Sequence, residues 1–144
     1  QKESISELSK KINIALSNNL RVIFCIGETL DEIKKRSLIL KKQLTSLPTK
    51  FSSKNIIIAY EPVWAIGTGK TPTIKEINKI HKSIRAMISK KIGKESSKIS
   101  ILYGGSVNQN NSIDILNLSD VDGALVGGAS LKVKDFCKII DSSN

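Results

Sequence analysis

Four short apolar runs separated by helical patterns are the feature that most restricts the fold of this 144-residue chain. The runs span residues 21–26, 55–60, 99–103 and 123–126, and they have the length and apolar character of buried strands. Between them, apolar residues recur at the spacing of amphipathic helices. Strands that alternate with helices, with no hairpin signal between any two of them, predict a parallel sheet in an α/β fold.

Helical patterns precede the first strand and follow each of the four strands. Nothing in the connecting segments marks a boundary, so residues 1–144 are predicted to form a single domain. The first helix is expected to end at about Asn18, and the second to span about 30–44. The third is expected to begin after the N-cap residue Thr73. The fourth is expected to span about 110–116, and the fifth to end at about Ile140.

The composition, with 40% hydrophobic and 25% charged residues, is that of a soluble globular protein. No apolar run approaches the roughly 18–20 residues of a membrane helix, and the polar segment QKESISELSKK at the start lacks the features of a signal peptide. Cys25 and Cys137 lie far apart and predict neither a disulfide framework nor a metal site. A cytoplasmic protein is expected, and Gln1, already within a helical pattern, suggests a processed product or a fragment.

The net charge of +10 raises the alternative of a nucleic-acid-binding protein. The lysines are distributed along the chain, however, and no run of five or more basic residues occurs. No aromatic residue is interleaved with them, as a base-stacking surface would require. The pattern favours solvent-facing helix surfaces, and nucleic-acid binding is kept as a remote alternative.

Glu61 is the strongest candidate for a catalytic residue. It directly follows the second strand, and Pro62 restricts the backbone on both sides of their shared bond. A partly buried carboxylate at the carboxyl edge of a parallel sheet, where such folds place their sites, can act as a general base. A charged residue that merely ends a strand is the alternative that the residues alone leave open.

The loop that follows Glu61 contains Gly67 and Gly69. It is either a movable cover for a ligand or an ordinary connection.

Two Gly-Gly turns follow the third and fourth strands, at 104–106 and 127–129. Glycine allows backbone N–H groups to approach an anion closely, and a following helix N-terminus adds a favourable dipole. One such turn is common at tight connections, but two on consecutive strands predict a site for a phosphate monoester. A nucleotide is less favoured, because neither GxxxxGK[ST] nor GxGxxG occurs in the chain.

Four segments resemble the triosephosphate isomerase family in their order and spacing: CIGETLDE (Cys25–Glu32), AYEPVWAIGTGK (Ala59–Lys70), ILYGGSV (Ile101–Val107) and DGALVGGASL (Asp122–Leu131). The resemblance extends over nearly the whole chain. It implies half of a (β/α)8 TIM barrel, with parallel strands five to eight and about five helices in one C-terminal half-barrel domain. The implied reaction interconverts dihydroxyacetone phosphate and glyceraldehyde 3-phosphate, a step of glycolysis and gluconeogenesis.

The resemblance also implies a role for each motif residue. Glu61 matches the base that moves a proton between two carbons of a small phosphorylated triose, and Glu28 matches a supporting carboxylate. The positions whose backbone amides hold the phosphate are matched by Gly67, Ser106, Gly127 and Gly128. The lid is matched by Pro62, Val63, Trp64, Ala65, Ile66, Gly67, Thr68, Gly69 and Lys70, and its hydrogen-bonding latch by Tyr103 and Ser106. No metal and no organic cofactor are implied.

The family's catalytic Lys and His, carried by its first and fourth strands, have no match among these residues. Lys70 belongs to the lid, and His81 lies in a helical segment (IHKSIR) that matches the outer layer of the barrel, so a structural role is expected for it.

Four parallel strands also leave two unpaired edges. The chain is therefore expected to self-associate or to bind a complementary N-terminal half. Three functions compete: an isomerase, an inactive or weakly active half barrel that keeps a phosphate site, and the nucleic-acid-binding protein.

Overall fold

Four parallel strands form one sheet in the order in which they occur along the chain. The computed structural model describes residues 3–143. The strands are β1 (Val22–Ile26), β2 (Ile56–Tyr60), β3 (Ile101–Tyr103) and β4 (Gly123–Ala124). The helices are α1 (Ile5–Ser17), α2 (Arg36–Gln43), α3 (Ile74–Ile92), α4 (Ser112–Leu116) and α5 (Val133–Asp141). Within this described part, no helix is long and apolar enough to cross a membrane.

The predicted parallel α/β arrangement is confirmed, but the second predicted helix, 30–44, consists of two kinds of helix. Leu30–Lys35 is a 3₁₀ helix, and α2 begins at Arg36 after Lys35 adopts φ −107° and ψ 10°. The break accompanies a tertiary contact, because Arg36 Nε lies 2.7 Å from the Glu28 carboxylate at the edge of the sheet. The spacing of apolar residues along the sequence does not indicate such a contact, and therefore does not predict the break in the helix.

The third and fourth strands are shorter than the sequence predicts. The predicted strand 99–103 starts only at Ile101, because the N–H of Ile99 donates to the carbonyl of Ser96 in the preceding turn. The predicted strand 123–126 is reduced to β4, which pairs with β3 alone among the described residues. The N–H of Leu125 still donates to the carbonyl of Tyr103 at 2.9 Å, so the alignment of the two strands continues past β4.

The helices cover one face of the sheet, and the hydrophobic core lies between the two. Every second residue of β2 is completely buried and belongs to the same core as one side of α3: Ile56, Ile58 and Tyr60 with Ile77, Ile84 and Ile88. On β1, Ile23 and Cys25 are exposed on the opposite face, which we call the open face. Because side chains alternate along a strand, Glu61 projects from the open face as well.

Arg85 of α3 holds the starts of β3 and β4 in place. Its guanidinium donates to the carbonyls of Ser96 and Ile99, at 3.1 and 2.9 Å, and lies 2.5 Å from Asp122 Oδ2. The same oxygen of Asp122 accepts the N–H of Ile101 at 2.7 Å. These bonds fix the amino ends of β3 and β4, at the opposite edge of the sheet from the two Gly-Gly turns.

His81 lies in the core on the helix side of the sheet, with no exposed surface. Its ring packs edge-on against Tyr60, with centroids 5.8 Å apart, and lies 6.2 Å from the ring of Tyr103. Burial lowers the pKa of His81 to about 4, although the charges of Asp122 and Asp120 oppose the shift. His81 is thus a neutral core residue at pH 7 and stands on the opposite face of the sheet from Glu61.

Lowering the pH from 7.5 to 4.5 is expected to reduce the free energy of unfolding by about 2–3 kcal/mol through His81 alone. The unfolded His81 binds a proton near pH 6.5, whereas the folded one does so only near pH 4. The folded state therefore loses stability as the pH falls through this interval, and is unaffected above it. Urea denaturation of the parent chain and of His81→Phe at both pH values measures this difference. An equal pH dependence in both proteins would show that His81 contributes nothing to it.

Candidate active site at the carboxyl edge of the sheet

A cleft of about 400 Å³ lies at the carboxyl ends of β2, β3 and β4. It brings together residues that the sequence places in three separate loops, one after each of these strands. The predicted site residues that line it are Glu61, Ile66, Gly67, Gly69, Ser106, Gly127 and Gly128. Further lining comes from Gly104, Gly105, Val107, Asn108, Leu125, Val126 and Ala129. The cleft thus combines one carboxylate with several glycine backbones, which is a suitable lining for a small anionic substrate.

Two glycines hold Glu61 in position by direct contact. The N–H of Glu61 donates to the carbonyl of Ile26 at 2.8 Å, so its backbone continues the pairing of β2 with β1. A methyl group on Gly27 would overlap the carbonyl oxygen of Glu61. A methyl group on Gly104 would lie 2.5 Å from Glu61 Cγ. The half-buried side chain of Glu61 is therefore confined between β1 and β3 while its carboxylate lines the cleft.

The predicted lid is attached to the rest of the molecule near both of its ends. Near the first end, within the 3₁₀ turn Val63–Ala65, the indole N–H of Trp64 donates to Glu28 at 3.2 Å. Near the second, the N–H of Gly69 donates to Ser106 Oγ at 3.3 Å, and that hydroxyl donates to the Ala65 carbonyl at 2.5 Å. Ser106 thus joins two points of the lid.

The remaining lid residues fill the segment between these attachments. Thr68 Oγ1 donates to the carbonyl of Trp64 at 3.2 Å and accepts the N–H of Lys70 at 3.1 Å. Val63 and Ile66 are about half exposed, and the N–H of Ala65 donates to the carbonyl of Pro62 at 2.8 Å. The lid from Ile66 onward is exposed and is therefore held mainly by hydrogen bonds, whereas Pro62 and Ala65 are buried.

Tyr103, the other predicted latch residue, makes no hydrogen bond to the lid. Its hydroxyl is buried without a hydrogen-bond partner among residues 3–143 and lies against Gly105. Burial, with a further contribution from the charge of Glu28, raises the pKa of Tyr103 to about 12. The hydroxyl therefore stays protonated at neutral pH, and its role as a latch stays a prediction.

Glu28 is a completely buried carboxylate that accepts hydrogen bonds from three side chains. Arg36 Nε lies at 2.7 Å, Trp64 Nε1 at 3.2 Å, and the hydroxyl of Tyr60 at 3.1 and 3.2 Å from the two carboxylate oxygens. Burial and the neighbouring Glu28 charge raise the pKa of Tyr60. Glu28 thus holds the first end of the lid through Trp64, and its supporting role in the reaction stays a prediction.

Tyr60 and Arg36 belong to this arrangement but are not among the residues predicted from the sequence. Tyr60 ends the clearest apolar strand and therefore reads only as a core residue. Arg36 stands in a basic segment, KKR, that reads as helix surface. Only its place beside the buried Glu28 distinguishes it from its neighbours, and that place depends on the tertiary structure.

Cys25 lies beside Glu61 on the open face. In the parallel register of β1 and β2, Cys25 pairs with Ala59. Glu61 follows Ala59 by two residues, so its side chain lies on the same face of the sheet. Although Cys25 is exposed as a residue, partial burial of its thiol and the adjacent Glu61 carboxylate raise its pKa to about 12. The thiol is therefore protonated throughout the physiological range.

Alkylation of Cys25 by iodoacetamide is expected to require a higher pH than the ordinary thiol value of about 8.5, because the thiolate is the reactive form. Glu61→Gln should lower the pH at which Cys25 reacts, since it removes the neighbouring negative charge. Mass spectrometry of the peptides separates Cys25 from Cys137, which is exposed on α5 and serves as the internal reference. An unchanged Cys25 profile in Glu61→Gln would contradict the expected proximity of the two side chains.

Comparison of the sequence with known proteins gives matches to one family. A family model described as triosephosphate isomerase matches residues 1–143. The chain is 49% identical to a triosephosphate isomerase of Phocaeicola vulgatus, over 97% of this chain and 58% of that protein. It is also 49% identical to one of Yarrowia lipolytica, over 98% of this chain and 58% of that protein.

The solved structures give the same result for the fold. The crystal structure of triosephosphate isomerase from Bartonella henselae matches with a TM-score of 0.90 at 40% identity, over 97% of this chain and 58% of that one. The predicted half of a TIM barrel is thereby confirmed. The chain spans less than two thirds of the length of these relatives.

Proposed function

Because the chain belongs to the triosephosphate isomerase family, we propose that it supplies the base, the lid and the phosphate grip of an enzyme that interconverts dihydroxyacetone phosphate and glyceraldehyde 3-phosphate. The observation that carries the proposal is the cleft in which the Glu61 carboxylate faces the backbones of Gly67, Ser106, Gly127 and Gly128. In this proposal the substrate is a small phosphorylated triose and the enzyme works in the cytoplasm.

The proposed chemistry is a proton transfer between two neighbouring carbons. Glu61 removes a proton from the hydroxyl-bearing carbon next to the substrate carbonyl, which leaves an enediolate, and returns the proton to the other carbon, while the hydroxyl proton passes to the former carbonyl oxygen. The Gly67–Ser106 side and the Gly127–Gly128 side of the cleft hold the phosphate through backbone N–H groups. The lid, anchored by Trp64 and Ser106, excludes water and so suppresses loss of phosphate from the enediolate. The residues of this chain need no organic cofactor for these steps.

Stabilising the enediolate needs groups that these 144 residues do not match, namely the family's Lys and His. Loss of a single electrophilic donor typically lowers a rate about 10²- to 10³-fold. We therefore propose that full turnover requires a complementary N-terminal half, and that self-association is the less effective way to cover the sheet edges. Binding of phosphate without turnover is the second candidate, supported by the same glycine-lined cleft.

The test is an isomerase assay on the purified chain, alone and mixed with a segment that contains the first four strands of the Phocaeicola vulgatus relative. The proposal expects turnover in the mixture and little or none in the chain alone. Binding of the triose phosphate without turnover in either sample would favour the phosphate-binding module. Salt-dependent binding to duplex DNA, without turnover and without binding of the triose phosphate, would support the nucleic-acid alternative.

A further inference from the structure

The side chain of Gln43, the last residue of α2, makes two hydrogen bonds to one residue of another element. Its Nε2 donates to the carbonyl of Gly27 at 2.8 Å, and its Oε1 accepts the N–H of Gly27 at 3.0 Å. The paired donor and acceptor fix both the position and the orientation of the Gly27 backbone, which a single bond would not do. They also fix the amide orientation of Gln43, since the reverse orientation would set donor against donor.

Gly27 is the residue on which Glu61 rests. Its Cα is so close to the Glu61 carbonyl that a methyl group there would overlap the oxygen. The residues on either side of Gly27 hold the same segment: Ile26 accepts the N–H of Glu61 at 2.8 Å, and Glu28 accepts the N–H of Val63 at 3.0 Å. A displacement of Gly27 would therefore move the candidate base and the first residues of the lid together.

Capping of α2 does not account for the side chain of Gln43. The end of α2 is closed by its own backbone, because the N–H of Leu44 donates to the carbonyl of Leu40. The Gln43 side chain is half-buried, and both of its polar atoms are directed at Gly27. This leaves the turn after β1, Ile26–Glu28, as the feature that Gln43 holds.

We propose that Gln43 is a positioning residue that acts through Gly27 to fix the location of Glu61 and the start of the lid. The inference rests on the proposed role of Glu61 as the base. It extends that role to a side chain of α2 that is not among the residues lining the cleft.

The test uses Gln43→Met, which keeps the length and most of the volume of the side chain but removes both hydrogen bonds. Cys25 reports on Glu61, because the two side chains are neighbours on the open face. When Gln43 no longer holds Gly27, Glu61 should shift and interact less with the Cys25 thiol. The alkylation rate of Cys25 at pH 9 is expected to rise about 3- to 10-fold, as a fall of half to one unit in thiol pKa would produce. The emission of Trp64, the only tryptophan, should change as well, because its anchor Glu28 adjoins Gly27.

Lys41→Ala is the matched control, since Lys41 is exposed on the same helix. It should leave both signals at their parent values. If Gln43→Met fails to fold, Gln43→Glu replaces it, because ionised Glu keeps the acceptor for the Gly27 N–H and loses the donor to the Gly27 carbonyl. A folded Gln43→Met protein with parent-like Cys25 alkylation and Trp64 emission would reduce Gln43 to a stabilising residue and overturn the proposal.

Turnover distinguishes this proposal from the proposed function. In the protein completed by the complementary half, Gln43→Met should lower kcat about tenfold with little change in KM, because the phosphate grip lies on other loops. The thiol and tryptophan signals require no turnover. An assembled parent protein without turnover would defeat the proposed function, whereas the positioning contact would be judged by those two signals alone.

Discussion

Replacing Glu61 by Gln is expected to lower the kcat of triose phosphate isomerisation about 10²- to 10⁴-fold in the protein completed by a complementary half. The amide has nearly the size and shape of the carboxylate, so the contacts with Gly27 and Gly104 are retained. It has no basic electron pair with which to accept the proton at neutral pH. Steady-state kinetics with glyceraldehyde 3-phosphate measure the loss, and KM should change little because the phosphate contacts remain.

The control for this prediction is Glu95→Gln. Glu95 is an exposed carboxylate, 3.0 Å from Lys98, on the turn before β3. Its replacement removes the same charge from the chain at a distance from the cleft, so turnover should stay at the parent value. A Glu61→Gln protein that turns over as fast as the Glu95→Gln protein would remove Glu61 from its proposed role and with it the basis of the mechanism.

Replacing Glu28 by Leu is expected to lower the free energy of unfolding by about 3–5 kcal/mol, the cost typical of breaking a buried ion pair from one side. Glu28 has no exposed surface, and its removal leaves the Arg36 guanidinium, the Trp64 indole and the Tyr60 hydroxyl without their common acceptor. This is a large share of the roughly 5–15 kcal/mol that stabilises a typical domain. Urea denaturation followed by circular dichroism measures the change, and Trp64 emission reports the release of the lid.

Two further variants separate the charge effect from simple loss of contacts. The double variant Glu28→Leu/Arg36→Leu should recover part of the stability, because no uncompensated charge then remains in the partly buried site. Glu95→Leu, which breaks an exposed pair, should cost no more than about 1 kcal/mol. Glu28→Leu would have to be as mild as Glu95→Leu for the prediction to fail.

The sequence predicts the parts of this fold that depend on local pattern. The apolar run that becomes β2, the N-cap residue Thr73 and the Gly-Gly turns are visible as spacings of residue types, and they occur where expected. The motif residues predicted for the phosphate side of the site meet in one cleft, since the carboxyl ends of parallel strands meet at one edge of a sheet.

The parts that the sequence does not predict depend on contacts between distant segments. Gln43, in the segment KKQL, has the local pattern of a surface helix residue, and only the packing of α2 against the β1 turn gives it two partners on Gly27. The start of α2 at Arg36, later than predicted, has the same origin in the buried Glu28. The N-terminal boundary of β3 depends on the Ser96–Ile99 turn, which competes for the same backbone N–H groups as a longer strand.

The order of the strands has a consequence for how the chain is made. Each strand pairs with the one synthesised just before it, so Val22 meets Ile56, Ile58 meets Ile101, and Leu102 meets Gly123. No pairing has to wait for a strand beyond the next one along the chain, so each new βα unit can add to the sheet as it leaves the ribosome. The sheet therefore grows in one direction, and at every stage of synthesis its newest strand is the surface onto which the next strand is laid.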